Sequence, residues 1–478
     1  MRVPPKSTAP QVVIVGAGPA GIRAAERFVK AGLRPVVIDE GDQCGGQIYR
    51  QPPAVLRRPV SDLYGFEASR AAAIHQTFER LRVHIDYRPR SALWHVEGRT
   101  LHVLQEGVPV RLMFDALILA TGATERVMPF AGWTLPGVFT LGAAQIALKA
   151  QATLLGPRII LAGTGPLLYL VAWQYQKSGA QIVAVLDEAT STTRWHALPK
   201  LLSRPAVVLK GAWMVAALRL AGVPVHQGAR LIRAHGEVAN ECLQTLTWRD
   251  ARGKEHTTAC DALAFGHGLR SENQAADLAG CAFDFDPFDQ AWQPSADDQG
   301  RTSVAGVYVA GDGARVRGAD AAELAGTLAA CSALQDLSPH AVNNEIADLQ
   351  KSLRAHDTFR EGLCQLSEPP STWAREVPDE LIICRCEEIT AGSLRQCVMD
   401  TGACEMNRLK ALTRLGMGRC QGRMCGPAAA RLLADAADVP LHEVGRLRSQ
   451  PPIKPVPIHA MGRMSGAAAD VPTGERDD

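Results

Sequence analysis

The sequence has no uninterrupted apolar run of the roughly 18 residues needed to cross a bilayer. Its most apolar stretch, residues 159–173, is broken by Gly163, Gly165 and Pro166. No transmembrane segment is expected. Residues 1–11 hold Arg2, Lys6 and three prolines but no apolar core, so they do not read as a secretory leader. Net charge is also scarce. Fifty-one Lys+Arg against 49 Asp+Glu leave +2, and with no basic run there is no reason to expect nucleic acid. A Cys-x-x-Cys pair is missing too, which argues against a dithiol shuttle, and leaves Cys44 as a small buried thiol.

What is present is a globular composition, 46% hydrophobic and 21% charged, in 478 residues. That length predicts two to four domains. Without a leader the expected compartment is the reducing cytoplasm, so the twelve cysteines read as thiols or ligands. Six of them fall between Cys384 and Cys425.

Residues 11–16 read as a buried strand, 19–31 as a helix ended by Gly32, and 35–39 as a second strand. This is the opening of a doubly wound βαβ unit. Short alternating segments at 93–97, 100–105 and 108–114 predict an antiparallel meander, followed by a strand at 115–120. The order then repeats. A strand at 158–162, the turn Gly163-Thr164-Gly165, a helix at 166–178 and a strand at 182–186 precede a meander over 230–258 and a strand at 261–265. Residues 304–310 add a further apolar strand. The fold class is α/β, with two tandem dinucleotide-binding (Rossmann-like) domains and a small cysteine-bearing C-terminal domain. The expected divisions are 10–125 with 290–337, then 126–289, a helical connector over 338–380, the cysteine domain over 381–440 and an extended tail over 441–478. Residues 470–478 read as disordered.

Gly16-Ala17-Gly18-Pro19-Ala20-Gly21 fits the G-x-G-x-x-G fingerprint between a strand and a helix. Gly16 allows the tight turn, Gly18 lets backbone approach a pyrophosphate, and Gly21 lets helix and strand pack closely. The anion then meets unpaired N–H groups at the helix start. Asp39, 23 residues after Gly16, is placed to accept ribose hydroxyls, with Glu40 as its substitute. The second turn, Gly163-Thr164-Gly165-Pro166-Leu167-Leu168, has Leu168 where the third glycine belongs. It leaves NAD binding open. Asp187 favours NAD over NADP, and no arginine is expected there to accept a 2′-phosphate.

Cys384, Cys386, Cys420 and Cys425 give C-x-C-x33-C-x4-C. Four thiolates can hold a [2Fe–2S] cluster or a zinc ion. The tight C-x-C is atypical of zinc knuckles, and Gly416, Gly418, Gly422 and Gly426 let backbone N–H groups reach sulfur. Both of these favour the cluster, with zinc and unligated thiols as the alternatives. Cys397 and Cys404 read as buried packing thiols.

Together these motifs resemble the A (or α) subunits of heteromeric flavin dehydrogenases. That group includes opine oxidases, D-hydroxyproline and proline dehydrogenases, the B subunit of hydrogen cyanide synthase and, more distantly, the α subunit of sarcosine oxidase. The residues that carry the resemblance are the segments 13–21, Gly45-Gly46-Gln47-Ile48-Tyr49-Arg50, Ala120-Thr121-Gly122-Ala123-Thr124-Glu125-Arg126 and Val309-Ala310-Gly311-Asp312-Gly313, together with 384–387 and 416–425. The cysteine domain is similar to bacterioferritin-associated ferredoxin, departing from it by four rather than two residues between Cys420 and Cys425.

The resemblance implies a fold of the two-domain flavoprotein type. It implies FAD held by Gly16, Gly18, Pro19, Ala20, Gly21, Asp39, Glu40, Gly46, Gln47, Thr121, Gly122, Gly311 and Asp312, with Asp312 on the ribityl chain. It also implies a [2Fe–2S] cluster on the four cysteines and no catalytic acid or base in this chain. Substrate oxidation at a C–N bond would fall to a B (β) flavoprotein subunit of the amino-acid-oxidase type. An FMN at that interface, a quinone acceptor, peripheral attachment to the inner membrane face and a small ferredoxin-like subunit are further implications. Two other readings stay open: a stand-alone NAD(P)H-dependent flavoprotein, and a non-catalytic nucleotide-binding scaffold.

Overall fold

The computed structural model describes residues 9–53, 59–236, 242–338 and 345–461. Val12–Val15 is wholly apolar and buried on both faces, as a central parallel strand requires. It lies in a five-stranded parallel sheet ordered Val307–Val309, Ala116–Leu119, Val12–Val15, Val36–Ile38, Asp86–Arg88. Helices Pro19–Lys30, Ala68–Leu81 and Ala319–Leu337 cover one face, through residues such as Phe28, Ile74 and Ala330. The first and last of these pack backbone against backbone, since a Cβ on Gly326 would lie 2.0 Å from the Ala20 carbonyl oxygen. The other face carries the meander Ser91–Glu97, Thr100–Gln105, Val108–Met113.

A second five-stranded parallel sheet follows, ordered Val225–Gln227, Gln181–Asp187, Arg158–Thr164, Ala262–His267, Val138–Thr140. The chain passes between the modules along one antiparallel pair, Ala123–Glu125 against Leu269–Ser271. The return to the first module therefore precedes residue 290. Ala275, Ala276 and Cys281 already pack with Leu93 and Leu117 in the first module's core.

Helix Ile346–Leu366 is more than a connector. Phe359 packs on Ala197 and Leu201 of the second module, and Leu353 on Ala321 and Leu328 of the first. The cysteine domain shares one apolar core with the second sheet, from Phe265 and Trp133 through Ile383 to Leu432. Trp133 Nε1 donates to the Ile382 carbonyl at 2.7 Å, and Trp373 Nε1 to that of Pro129 at 3.0 Å. The tail then runs back over the first module, where the Ile453 N–H meets the Trp94 carbonyl at 3.1 Å. Residues 470–478 lie outside the described residues. Among the described residues no helix is long and apolar enough to cross a membrane.

Candidate functional site

The first glycine turn opens into a cavity of about 1560 Å³, above the roughly 300–1,000 Å³ of an ordinary small-ligand site. Gly16, Gly18, Pro19, Ala20, Asp39, Glu40, Gly46, Gln47, Thr121, Gly122 and Asp312 all line it. Gly21 and Gly311 do not. They serve packing, since a Cβ on Gly21 would sit 1.8 Å from the Gly16 carbonyl oxygen and one on Gly311 2.8 Å from the Ala20 Cβ.

Gly16 has φ +107°, and a Cβ there would lie 2.3 Å from the Ala120 carbonyl oxygen. Gly46 faces Gly18 so closely that its Cβ would stand 2.9 Å from the Gly18 Cα. This floor is bare backbone. Asp39 accepts N–H bonds from Ala17 at 2.6 Å and Gly41 at 2.7 Å, so part of its capacity braces the turn. Burial raises its carboxyl despite those bonds. Asp312, also raised by burial, accepts from the Arg317 and Gly318 N–H groups at 2.9 and 3.1 Å. Arg50 Nε, Thr124 Oγ1 and Glu125 Oε1 are buried without a hydrogen-bond partner, and their residues line the cavity.

The tail closes one side. Ile453 and Lys454 line the cavity, and Lys454 Nζ pairs with Glu40 at 2.9 Å. The opposite contribution comes from the cysteine loop itself. Arg423, between Cys420 and Cys425, lines the same cavity and pairs with Glu272 at 2.8 Å. Thr121 Oγ1 donates to the Glu272 carbonyl at 2.5 Å. The half-buried Arg270 donates to the Arg423 carbonyl at 3.0 Å, and Gln274 Nε2 to that of Gln421 at 2.7 Å.

The four cysteines converge as two pairs, Cys384 with Cys425 and Cys386 with Cys420. The Cys425 thiol, with N–H groups of Gly416, Glu387 and Cys386, lowers Cys384 to about 5. Such donors favour thiolates. Among the described residues no three of these sulfurs lie within 4.8 Å of one another. A single tetrahedral zinc would hold all four about 3.8 Å apart. The paired arrangement fits a two-iron centre instead. Gly418 is needed for the approach, because a Cβ there would meet the Cys386 Cβ at 2.3 Å.

Comparison with known proteins decides the family. The pyridine nucleotide-disulphide oxidoreductase family matches residues 10–327, and the BFD-like [2Fe-2S] binding domain matches residues 382–435. The A subunit of opine oxidase from Rhizobium meliloti is 37% identical, covering 96% of this chain and 88% of that protein. The chain belongs to the family of opine oxidase A subunits. Hydrogen cyanide synthase subunit HcnB of Pseudomonas aeruginosa is 32% identical over 95% of this chain and 99% of its own length. The crystal structure of L-proline dehydrogenase from P. horikoshii shares the fold, with a TM-score of 0.71 at 20% identity over 95% of this chain and 79% of that one.

Membership makes the chain an oxidoreductase with FAD and a [2Fe–2S] cluster. The residues present suit both groups: a bare glycine floor with unpaired polar atoms in the wall, and four thiols in two pairs under backbone donors.

The second glycine turn is filled by the chain itself. A Cβ on Gly165 would lie 2.5 Å from Ser367 Oγ, one on Gly268 2.7 Å from Ser367 Cβ, and Thr164 Oγ1 donates to the Ser367 carbonyl at 3.2 Å. Asp187 is equally engaged, with the Tyr169 hydroxyl, the Ala189 N–H and Arg194. An arginine does stand there, contrary to expectation. The helix Ser191–Leu201 brings Arg194 back over the strand end, a placement set by its Thr190 cap.

Cys44 is buried as expected, and burial pushes its thiol up to about 12. Cys397 is only partly buried and Cys404 is exposed, so neither is the buried thiol expected. Cys404 follows the left-handed Gly402 that ends helix Ala391–Thr401, which leaves it outside the core. Arg423, Glu272, Arg270 and Lys454 were not foreseen from the sequence. Arg423 lies inside the cysteine motif, but no local pattern marks the other three.

Proposed function

We propose that this chain is the electron-relaying A subunit of a heteromeric enzyme that oxidises the C–N bond of an opine, imino acid or related amino-acid derivative. The observation that carries this reading is Arg423, a cysteine-loop residue in the wall of the dinucleotide cavity. The opine oxidase and hydrogen cyanide synthase relatives are named as subunits of larger enzymes, which supports partner subunits here. Gly16, Gly18, Pro19, Ala20, Asp39, Glu40, Gly46, Gln47, Thr121, Gly122 and Asp312 would hold FAD, with Gly21 and Gly311 shaping the turn behind them. Cys384, Cys386, Cys420 and Cys425 would hold the cluster. FAD supplies two-electron and the cluster one-electron chemistry.

The chain's own work is positioning. Glu272 and Arg423 fix the cysteine loop against the cavity, Arg270 and Gln274 hold its backbone, and Lys454 and Ile453 wall one side of the cavity. No group here needs to move a proton to substrate. That step belongs to a B (β) flavoprotein of the amino-acid-oxidase type, with an FMN at the interface and a ferredoxin-like subunit completing the assembly in the cytoplasm. Electrons leave to a quinone or similar acceptor.

The filled second turn disfavours the NAD(P)H-dependent alternative. Anaerobic mixing separates the two readings. The isolated chain should keep its flavin colour with NADH or NADPH, while an opine or imino acid should reduce the cluster only when the β flavoprotein is present. Rapid bleaching by either nicotinamide in the isolated chain would overturn the relay reading.

A further inference from the structure

The meander of the first module carries a group of side chains that the flavin and the cluster do not use. His95 on Ser91–Glu97 stands directly opposite His102 on Thr100–Gln105, and Glu97 follows at the end of the first strand. The two imidazoles lie face to face, centroids 5.2 Å apart and planes at 28°. A nitrogen of each and a carboxylate oxygen of Glu97 all fall within 4.8 Å of one another.

From this we infer a second metal site, holding a divalent first-row ion of the zinc, nickel or copper class on His95, His102 and Glu97. The donor set decides the class. Two imidazoles and one carboxylate suit borderline ions, whereas calcium and magnesium require mostly oxygen. The spacing already agrees. Ligands about 2.0–2.1 Å from a tetrahedral ion stand about 3.3 Å apart, and Glu97 Oε2 is 3.2 Å from His102 Nε2.

The imidazoles are also short of partners. His102 is 5% exposed, and its Nδ1 has no hydrogen-bond partner, nor has the buried Nδ1 of His95. Each ring thus keeps one nitrogen that the protein leaves unsatisfied, and on His102 the other nitrogen, Nε2, is the one that faces Glu97 at ligand spacing. Entry is open, since the Glu97 side chain is 74% exposed. Three protein ligands leave a coordination position for water or a small anion.

The site lies on the flavin module and uses no cysteine, so it can be assayed with the cluster in place. Holoprotein stripped of loose metal on a chelating resin should bind one equivalent of Zn(II) by calorimetry. With Cu(II) it should show an electron paramagnetic resonance signal split by two imidazole nitrogens. The double variant His95→Gln/His102→Gln should bind Zn(II) weaker by about tenfold or more, and Glu97→Gln by less, with flavin and cluster absorbance unchanged. Should the His102 substitution unfold the chain, the half-buried His95→Gln alone must still lose one nitrogen coupling. Unchanged Zn(II) affinity in the folded double variant, or a wild-type Cu(II) signal without nitrogen splitting, would show the group to be a stacked pair and nothing more.

Discussion

Arg423 and Glu272 form an ion pair, Nε to Oε2 at 2.8 Å with each side chain 13% exposed, that ties the cysteine loop to the dinucleotide cavity. Glu272 sits in the segment that follows the crossover strand Leu269–Ser271, so the pair also joins the two modules to the third domain. Burial alone would raise the Glu272 carboxyl, but Arg423, joined by Arg270 and Lys454, holds it below its ordinary range.

Breaking this pair from one side leaves a buried charge alone. Glu272→Gln should therefore destabilise the holoprotein by about 3–5 kcal/mol. The double change Glu272→Leu/Arg423→Met should cost clearly less. Denaturant unfolding followed by cluster absorbance checks the order, and equal losses in both would show that the pair is not a coupled unit.

Cys384, Cys386, Cys420 or Cys425 changed to Ser should each lose or weaken the cluster, since a serine oxygen is a poor ligand for this iron. FAD should remain, because none of these four cysteines lines the dinucleotide cavity. Exposed Cys404 and half-buried Cys397 should tolerate Ser with full iron and sulfide content. Retained iron in the Cys425 variant together with loss in the Cys404 variant would reverse the ligand assignment.

Gly16→Ala should abolish stoichiometric flavin, through both the clash with Ala120 and the strained φ. Gly32→Ala is the control. Its φ is also positive, at +80°, but nothing lies within 4 Å of the added Cβ. It should cost about 1 kcal/mol of backbone strain and leave flavin content at one per chain.

Lys454 and Glu40 are both substantially exposed, at 29% and 54%, so Lys454→Ala alone should cost less than about 1 kcal/mol. Removing residues 449–478 takes away Ile453 as well and opens the cavity wall. Flavin release from that chain should be faster by several-fold, measured by fluorescence after dilution. An unchanged release rate would assign the tail no part in retention.

Acid should loosen the tail in a defined window. Burial favours protonation of Asp277, yet Arg446 and the Ser449 N–H bonds hold its carboxyl below the usual range. A depressed folded pKa means this stability is complete above the unfolded pKa near 4 and is lost as pH falls through the folded value. Protease cleavage of the tail in apoprotein should thus rise only below about pH 4. Asp277→Asn should be cleaved readily at neutral pH.

The sequence by itself determined the two glycine turns, the succession of strands and helices around them and the grouping of four cysteines as candidate ligands. Each of these is a local or periodic requirement. A turn that admits a phosphate must lack Cβ atoms, a strand buried on both faces must be apolar, and a cluster needs four thiols. Val12–Val15 and Arg158–Thr164 could be placed from such patterns within one or two residues. Only the tertiary structure decided which groups meet across long separations. Glu272 and Arg423 are 151 residues apart, Lys454 and Glu40 414, and Ser367 reaches a glycine turn 203 residues earlier. No residue type announces such a partner, because which side chains end up adjacent is set by how distant segments pack against one another. The same holds for Arg194, whose return over Asp187 depends on where one helix begins. It holds again for Cys404, left in solvent because the preceding helix stops at Gly402.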